Sequence, residues 1–252
     1  MKLLTYKIND LETPQIGVLQ NQIVYNLNVC FGNISLIELI QIEDYQDQVA
    51  SFICNEDCLK HDINNIKVLP TIPKPNSFRD AYAFRQHVST SRKNRGVDMI
   101  PEFDEFPVFY FSNHNAMFAD GEDIELMTDH FERLDYELEF AIIIGKGGKN
   151  ILSEDADQHI AGFCILNDLS ARRLQMEEMK LNLGPAKGKD FANVIGPYLV
   201  TPDELESRSI DTPFGKKYDL QMTCYVNGEL LSEGNAKDMN WTFAEIIERA
   251  SY

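Results

Sequence analysis

The chain has 252 residues, of which 44% are hydrophobic and 25% charged, a composition typical of a globular protein with a sizeable core. Lysine and arginine total 23 against 40 aspartates and glutamates, so the formal net charge is −17. Such a charge repels phosphate backbones and anionic lipids, which excludes nucleic acid and membrane as favoured partners.

The N-terminal segment and the cysteines indicate where the protein works. Lys7 and Asp10 break the apolar run of MKLLTYKIND before a signal-peptide core could form. Other apolar runs are far shorter than the roughly 20 residues of a membrane-spanning helix. The five cysteines are odd in number and lack paired C-x-x-C spacing, which indicates reduced thiols. We therefore expect a soluble, cytoplasmic protein.

The first part of the chain predicts a small β-rich unit. Residues 3–27 are typical of short strands, with a break at Gln20-Asn21. Residues 35–53 carry an apolar stripe at helical spacing and predict one helix capped by Ser35.

A proline-rich linker follows this unit. Three prolines in residues 68–76 exclude regular structure, because proline donates no backbone N–H. We place a domain boundary there. Residues 1–68 are predicted to form a small N-terminal domain and residues 72–252 the larger catalytic domain.

Beyond the linker the sequence favours strands over helices. Ser77 and Asp80 have capping-box spacing, which predicts a helix running to His87. Predicted strands cover residues 106–111, 137–144, 162–168, 194–201 and 218–226, and predicted helices cover residues 170–180 and 242–250. Asn227-Gly228 is a strong hairpin signal. Because strands and helices do not alternate regularly, we expect an α+β, mainly β fold rather than a Rossmann or barrel fold.

Three carboxylates form the most informative pattern. The two-residue period of a strand puts Glu137 and Glu139 on one face, directly before an apolar run that is predicted to be buried. Neighbouring carboxylates near a core repel each other, so one must be protonated or a cation must lie between them. Asp168 ends another apolar strand, and three carboxylates without nearby His or Cys suit Mg²⁺, Ca²⁺ or Mn²⁺ rather than zinc. Alternatively, Glu137 and Glu139 face water on an edge strand.

A second pair is Asp80 and His87. They lie seven residues apart, close to two turns of the predicted helix, and would share one face at about 10 Å along the axis. This spacing suits a metal ligand and a general base. The alternative is that Asp80 only completes the capping box of Ser77 and that His87 is a surface histidine.

Cationic and amide side chains follow Asp168. Lys189 lies in the loop 183–190, whose glycines allow the backbone to approach a ligand closely. This is not a Walker-type phosphate loop, because the spacing is short and Asp190 stands where Ser or Thr is required. Arg172 and Gln175 project from one face of the predicted helix, with a solvated pair as the alternative.

Taken in order, these segments resemble the fumarylacetoacetate hydrolase family. The matching segments are residues 80–87 (DAYAFRQH), 106–110 (FPVFY), 134–139 (LDYELE), 166–172 (LNDLSAR) with Gln175, and Gly188-Lys189. The resemblance covers residues 72–252, and the N-terminal part resembles a small β-rich domain that many members carry. It implies a mixed β-sandwich roll and a homodimer.

The resemblance also implies individual roles. Asp80, Glu137, Glu139 and Asp168 would bind the metal, His87 would be the general base that activates water, and Tyr82, Tyr110, Arg172, Gln175 and Lys189 would contact the substrate. A divalent cation, Mg²⁺ or else Ca²⁺ or Mn²⁺, would polarise the oxygens of an anionic oxo-acid or 1,3-dione, while Lys189 adds positive charge where the oxyanion develops.

These roles predict a metal-dependent hydrolase that cleaves a carbon–carbon bond in a small fumarylacetoacetate- or acylpyruvate-like oxo-acid, in the catabolism of aromatic compounds. Thr90, three residues after His87, favours the hydrolase-like branch of the family, because decarboxylase and acylpyruvate-cleaving members carry Glu at that position. Alternatives are an oxo-acid decarboxylase or isomerase of the same family, or a non-catalytic metal- or ligand-binding relative. Members continue past the position of Tyr252 into strands with a Gly-Thr substrate loop, so we expect further residues in the functional protein.

Overall fold

The protein is α+β and mainly β, as the sequence predicts; a computed structural model describes residues 1–9, 13–54, 58–182 and 184–252. The strands are β1 Lys2–Lys7, β2 Gln15–Gln20, β3 Ile23–Asn26, β4 Lys60–Asp62, β5 Lys67–Val68, β6 Arg79–Ala81, β7 Phe109–Phe111, β8 Met117–Phe118, β9 Leu134–Asp135, β10 Leu138–Ile144, β11 Ile160–Asp168, β12 Ser170–Ala171, β13 Asn193–Val200, β14 Ser209–Thr212, β15 Gly215–Tyr218, β16 Gln221–Val226 and β17 Glu229–Asn235. The α-helices are α1 Asn28–Phe31, α2 Leu36–Leu39, α3 Tyr45–Ile53, α4 Arg85–Asn94, α5 Thr128–Phe131, α6 Ser153–Ala156, α7 Arg172–Glu178, α8 Pro202–Leu205 and α9 Phe243–Ala250. Over the described ranges, no helix has the length and apolar character needed to cross a bilayer.

The elements pack into two compact units whose segments interleave along the chain. The first unit comprises residues 1–77, 113–145 and 161–204, and the second comprises residues 78–112, 146–160 and 205–252. Residues 69–76 lack helix and strand, as their prolines predict. The domain division into residues 1–68 and 72–252 stays a prediction.

The first unit is built on one large sheet. Its strand order is β10-β11-β13-β1-β2-β3-β4, with β5 paired to β1 and β8 paired to β13. The centre of this sheet is apolar on both faces, since Leu3, Leu4 and Tyr6 of β1 are all fully buried. Strand β10 carries Glu139 and strand β11 ends at Asp168, and these two strands lie at one end of this order.

The second unit consists of hairpins and short helices. β16 and β17 pair across Asn227 and Gly228, whose φ angles of 53° and 85° give the predicted hairpin turn. Helix α9 lies within the predicted range 242–250, and a capping box fixes its start: the Thr242 hydroxyl accepts from the Glu245 N–H and the Glu245 carboxylate accepts from the Thr242 N–H.

Three predicted helices differ from the structure. Residues 35–53 form α2 and α3 rather than one helix, because Asp44 adopts a left-handed φ of 59° that interrupts the helix. The capping box at Ser77 was wrong, since Asp80 pairs with Tyr110 between β6 and β7, and the helix begins only at Arg85. The third, residues 170–180, begins with strand β12 and becomes helical at Arg172. In each case local propensity yields to tertiary strand pairing or backbone geometry.

Two predicted strands are shorter than expected. The strand predicted over residues 106–111 covers only Phe109–Phe111, which excludes Pro107. The strand predicted over residues 218–226 is two strands, β15 and β16, separated at Asp219 and Leu220.

Candidate metal centre

One antiparallel ladder brings the three predicted carboxylates together in the first unit. Glu137 and Asp168 exchange both backbone hydrogen bonds, at 3.0 and 3.2 Å, so they are directly opposite residues whose side chains share a face. Glu139 follows on the same face by the two-residue period. Carboxylate oxygens of Glu137, Glu139 and Asp168, here called the carboxylate cluster, lie within 4.8 Å of one another.

The apolar run after Glu139 is less buried than the sequence predicts. All of β10 is half-buried except Ile144, which is 47% exposed. The physical reason is that β10 is the terminal strand of the described sheet order and packs against a neighbour on one side. The edge-strand alternative was therefore right about the strand, but the Glu137 side chain is only 16% exposed and makes two ion pairs.

A cation does lie between two of these carboxylates, and it is the Lys189 ammonium. Lys189 is 3% exposed, and its Nζ lies 2.6 Å from Asp168 Oδ2 and 2.8 Å from Glu137 Oε2. Burial opposes the charged ammonium, but Glu137 and Asp168 outweigh it and raise the pKa of Lys189. Sequence reasoning did not predict this pairing, because Lys189 is far from both partners along the chain.

Arg172 supplies a second cation. Its Nη2 lies 2.8 Å from Glu137 Oε1, its Nε lies 2.7 Å from Asp135 Oδ2, and its Nη1 donates to Gln175 Oε1 at 3.0 Å. Burial tends to raise the pKa of Glu137, but Lys189 and Arg172 outweigh it and lower that pKa. Arg172 and Gln175 thus share one face as predicted, and they are bonded to each other rather than only solvated.

The donor set fits a hard divalent cation. The carboxylate cluster and Asp135 carry four formal negative charges, and Lys189 and Arg172 carry two positive charges. The net formal charge of −2 is what one divalent ion would neutralise. All donors are oxygen atoms, which suits Mg²⁺, Ca²⁺ or Mn²⁺.

The Lys189 loop is held by a carboxylate that sequence reasoning missed. Glu178, in α7, accepts hydrogen bonds from the backbone N–H groups of Ala186, Lys187 and Gly188 at 3.3, 2.8 and 3.1 Å. A Cβ on Gly188 would lie 2.6 Å from Gln175 N. Gly188 therefore allows close packing on α7 rather than approach to a ligand; Leu183, at the start of this loop, is outside the described residues.

The remaining predicted site residues belong to the second unit. Asp80, on β6, accepts a 2.6 Å hydrogen bond from the Tyr110 hydroxyl of β7. Tyr82 is 42% exposed. His87 is exposed on α4. Because Asp80 lies on strand β6 instead of this helix, the expectation that the two residues share a helix face was wrong. The roles of these four residues stay predictions.

Comparison with known proteins identifies one matching family model and several related sequences. The family model described as fumarylacetoacetate (FAA) hydrolase C-terminal matches residues 76–252. The Bacillus subtilis oxaloacetate tautomerase YisK is 30% identical over 207 residues, which cover 81% of this chain and 61% of that protein. An uncharacterised Staphylococcus aureus protein is 28% identical over 268 residues, which cover 100% of this chain and 83% of that protein.

Solved structures share the fold. The fumarylacetoacetate hydrolase of Exiguobacterium antarcticum superposes with a TM-score of 0.73 at 24% identity, covering 100% of this chain and 81% of that one. The maleylpyruvate hydrolase of Sphingobium sp. SYK-6, in complex with manganese(II) ion and pyruvate, also has a TM-score of 0.73, at 19% identity, covering 100% of this chain and 83% of that one. With the family model matching most of the chain and the family's fold present, this protein belongs to the fumarylacetoacetate hydrolase family.

Proposed function

We propose that this chain is a divalent-cation-dependent enzyme that converts a small oxo-acid through its enolate. The observation that carries this proposal is the carboxylate cluster with two buried or half-buried cations, Lys189 and Arg172, bonded to it. A divalent cation held there would act as a Lewis acid toward the oxygens of the oxo-acid. In a protein of net charge −17, an anionic substrate would depend on the cations at this site, which are the divalent ion, Lys189 and Arg172.

The chain's own groups suit the stabilisation of an oxyanion. The Lys189 ammonium is buried, so its charge acts at low dielectric and costs no reorganisation when negative charge develops nearby. Gln175 uses its carbonyl oxygen to accept from Arg172, which leaves its amide N–H groups as donors for the substrate. These groups would hold the oxo-acid carboxylate and the enolate oxygen.

The overall reaction that we place first is hydrolysis of a carbon–carbon bond. In this reaction His87 accepts a proton from water, the hydroxide adds to the carbonyl carbon, and the adjacent carbon–carbon bond breaks toward an enolate that is then protonated. His87 as base, Asp80 as a further metal ligand, and Tyr82 and Tyr110 as substrate contacts are supported by the family resemblance alone.

A second candidate is tautomerisation of oxaloacetate. It is favoured by the 30% identity to the B. subtilis oxaloacetate tautomerase. Keto–enol exchange passes through the same enolate but consumes no water and breaks no carbon–carbon bond, so it needs Lys189 and Arg172 without a base that activates water.

Assays of the purified protein with Mg²⁺ or Mn²⁺ distinguish these two reactions by their products. Loss of enol absorbance from oxaloacetate without release of pyruvate identifies the tautomerase, whereas two carboxylic acids formed from an acylpyruvate or fumarylacetoacetate identify the hydrolase. Asp168→Asn should abolish either activity, while Asp219→Asn, a surface carboxylate paired with Lys237, should not. Cation binding without turnover of any of these oxo-acids would contradict the enzyme proposal and favour the non-catalytic alternative.

Two further expectations belong to this proposal. Mg²⁺ or Mn²⁺ should bind with one ion per chain in calorimetry, in keeping with the manganese(II) ion of the Sphingobium maleylpyruvate hydrolase. The homodimer implied by the resemblance should appear in light scattering as twice the 28.8 kDa mass of the chain.

A further inference from the structure

Asp135 holds the guanidinium of Arg172 through a different nitrogen from the one that Glu137 contacts. It lies two residues before Glu137, and its Oδ2 accepts from Arg172 Nε at 2.7 Å. Asp135 is itself fixed, because its Oδ1 accepts from the Tyr136 N–H at 2.9 Å and its backbone is paired with Ser170. We propose that Asp135 is a positioning residue that orients Arg172 for the oxo-acid, an inference that rests on the proposed function.

Asp135 occupies only one of the N–H donors of Arg172. A guanidinium carries five N–H groups. Asp135 takes the single N–H of Nε, Glu137 takes one from Nη2 and Gln175 takes one from Nη1. Within the described part of the chain, one N–H on each terminal nitrogen is then uncommitted. Such a pair can hold a substrate carboxylate through two parallel hydrogen bonds.

Two carboxylates, Glu137 and Asp135, fix the plane of the Arg172 guanidinium. Without Asp135, the guanidinium would keep one carboxylate partner, Glu137, beside the neutral oxygen of Gln175, and Glu137 is also a predicted metal ligand. Asp135 adds the second fixed point without entering the carboxylate cluster. Preorganisation of this kind strengthens binding because the orientation of the donors is already set before the substrate arrives.

The variant that tests this role is Asp135→Asn, which keeps the size of the side chain and removes its charge. The matched control is Glu132→Gln, because Glu132 Oε2 holds Arg173 Nε at the same 2.7 Å from the next position of α7, where both side chains are more exposed. Both variants should be measured in wild-type and Arg172→Gln backgrounds.

We expect Asp135→Asn to lower kcat/KM by about tenfold or more for the oxo-acid that the wild type converts, be it an acylpyruvate, fumarylacetoacetate or oxaloacetate, as loss of an orienting partner typically does. Its Mn²⁺ affinity by calorimetry should stay within about twofold of wild type, and in the Arg172→Gln background the added loss should also be under about twofold. Equal losses in both backgrounds, a parallel loss of Mn²⁺ affinity, or no greater loss than in Glu132→Gln would each overturn the inference.

A spectroscopic measurement separates this inference from the proposed function. A wild-type protein that neither binds nor converts oxo-acids would refute the proposed function. In that case the NMR signal of the Arg172 Nε–H still reports on Asp135. The signal should be protected from exchange in wild type and in Glu132→Gln and lose that protection in Asp135→Asn, and an unchanged signal would show that Asp135 does not fix Arg172.

Discussion

Replacing Lys189 with methionine should expose how strongly the site depends on its buried cation. Methionine keeps most of the volume of the side chain but removes the ammonium that bonds to Asp168 and Glu137 at 2.6 and 2.8 Å. Asp168 is fully buried, so its carboxylate would lose a partner that water cannot replace. Breaking a buried ion pair in this way costs about 3–5 kcal/mol of unfolding free energy.

For a chain of this size, each kcal/mol lowers the melting temperature by about 2–4 °C, so Lys189→Met should melt about 6–20 °C lower than wild type in the presence of a chelator. The control is Lys187→Met. Lys187 lies two residues away and pairs with Asp190 at 2.9 Å, but its side chain is 63% exposed. Exposed pairs contribute about 1 kcal/mol or less, so this control should melt close to wild type.

Adding Mn²⁺ should reverse part of the loss. A ligand at 100 times its dissociation constant stabilises the folded state by about 2.7 kcal/mol. Because Lys189→Met leaves the cluster one charge more negative, the rise in melting temperature with Mn²⁺ should be larger in this variant than in wild type. If the two lysine variants melt at the same temperature in chelator, or if Mn²⁺ stabilises Lys189→Met less than wild type, the reasoning about this site is wrong.

Three other substitutions test particular contacts. Gly188→Ala would place a Cβ 2.6 Å from Gln175 N, and we expect a loss of about 1–3 kcal/mol in urea denaturation, whereas Gly147→Ala, with no atom within 4 Å, should be close to neutral. Glu178→Ala removes the acceptor of three backbone N–H groups and should cost about 1–3 kcal/mol; equal stability of Glu178→Ala and Glu177→Ala would contradict this role. Burial raises the pKa of Asp157 despite its hydrogen bond from the Lys216 N–H, so the folded state holds this proton more tightly than the unfolded state. The stability contribution of Asp157 therefore falls as pH rises from the carboxyl's ordinary range through the raised pKa, and Asp157→Asn should remove this part of the pH dependence. The denaturation midpoints of Asp157→Asn and wild type should converge at acidic pH, and a constant difference across pH would refute the assignment.

The sequence was informative where a residue's partners are close along the chain. The hairpin at Asn227-Gly228 and the helix over residues 242–250 both formed as predicted, because the turn angles and the helical hydrogen bonds involve residues close along the chain. The shared face of Glu137 and Glu139 is equally local, since it follows from the period of a strand. The family could also be inferred from the order of short motifs.

Tertiary structure decided what the sequence left open. Ser77 and Asp80 have capping-box spacing, yet Asp80 lies in a strand because pairing with Tyr110 outweighs the local preference. The sequence could not predict that Lys189 lies between Asp168 and Glu137, or that Asp135 and Glu178 fix Arg172 and the Lys189 loop. Such contacts join residues that only the strand register and the packing of α7 bring together. The sequence therefore determined which chemical groups the site contains, and the fold determined which charges lie against one another, because the electrostatics of a buried site depend on distances that local periodicity does not fix.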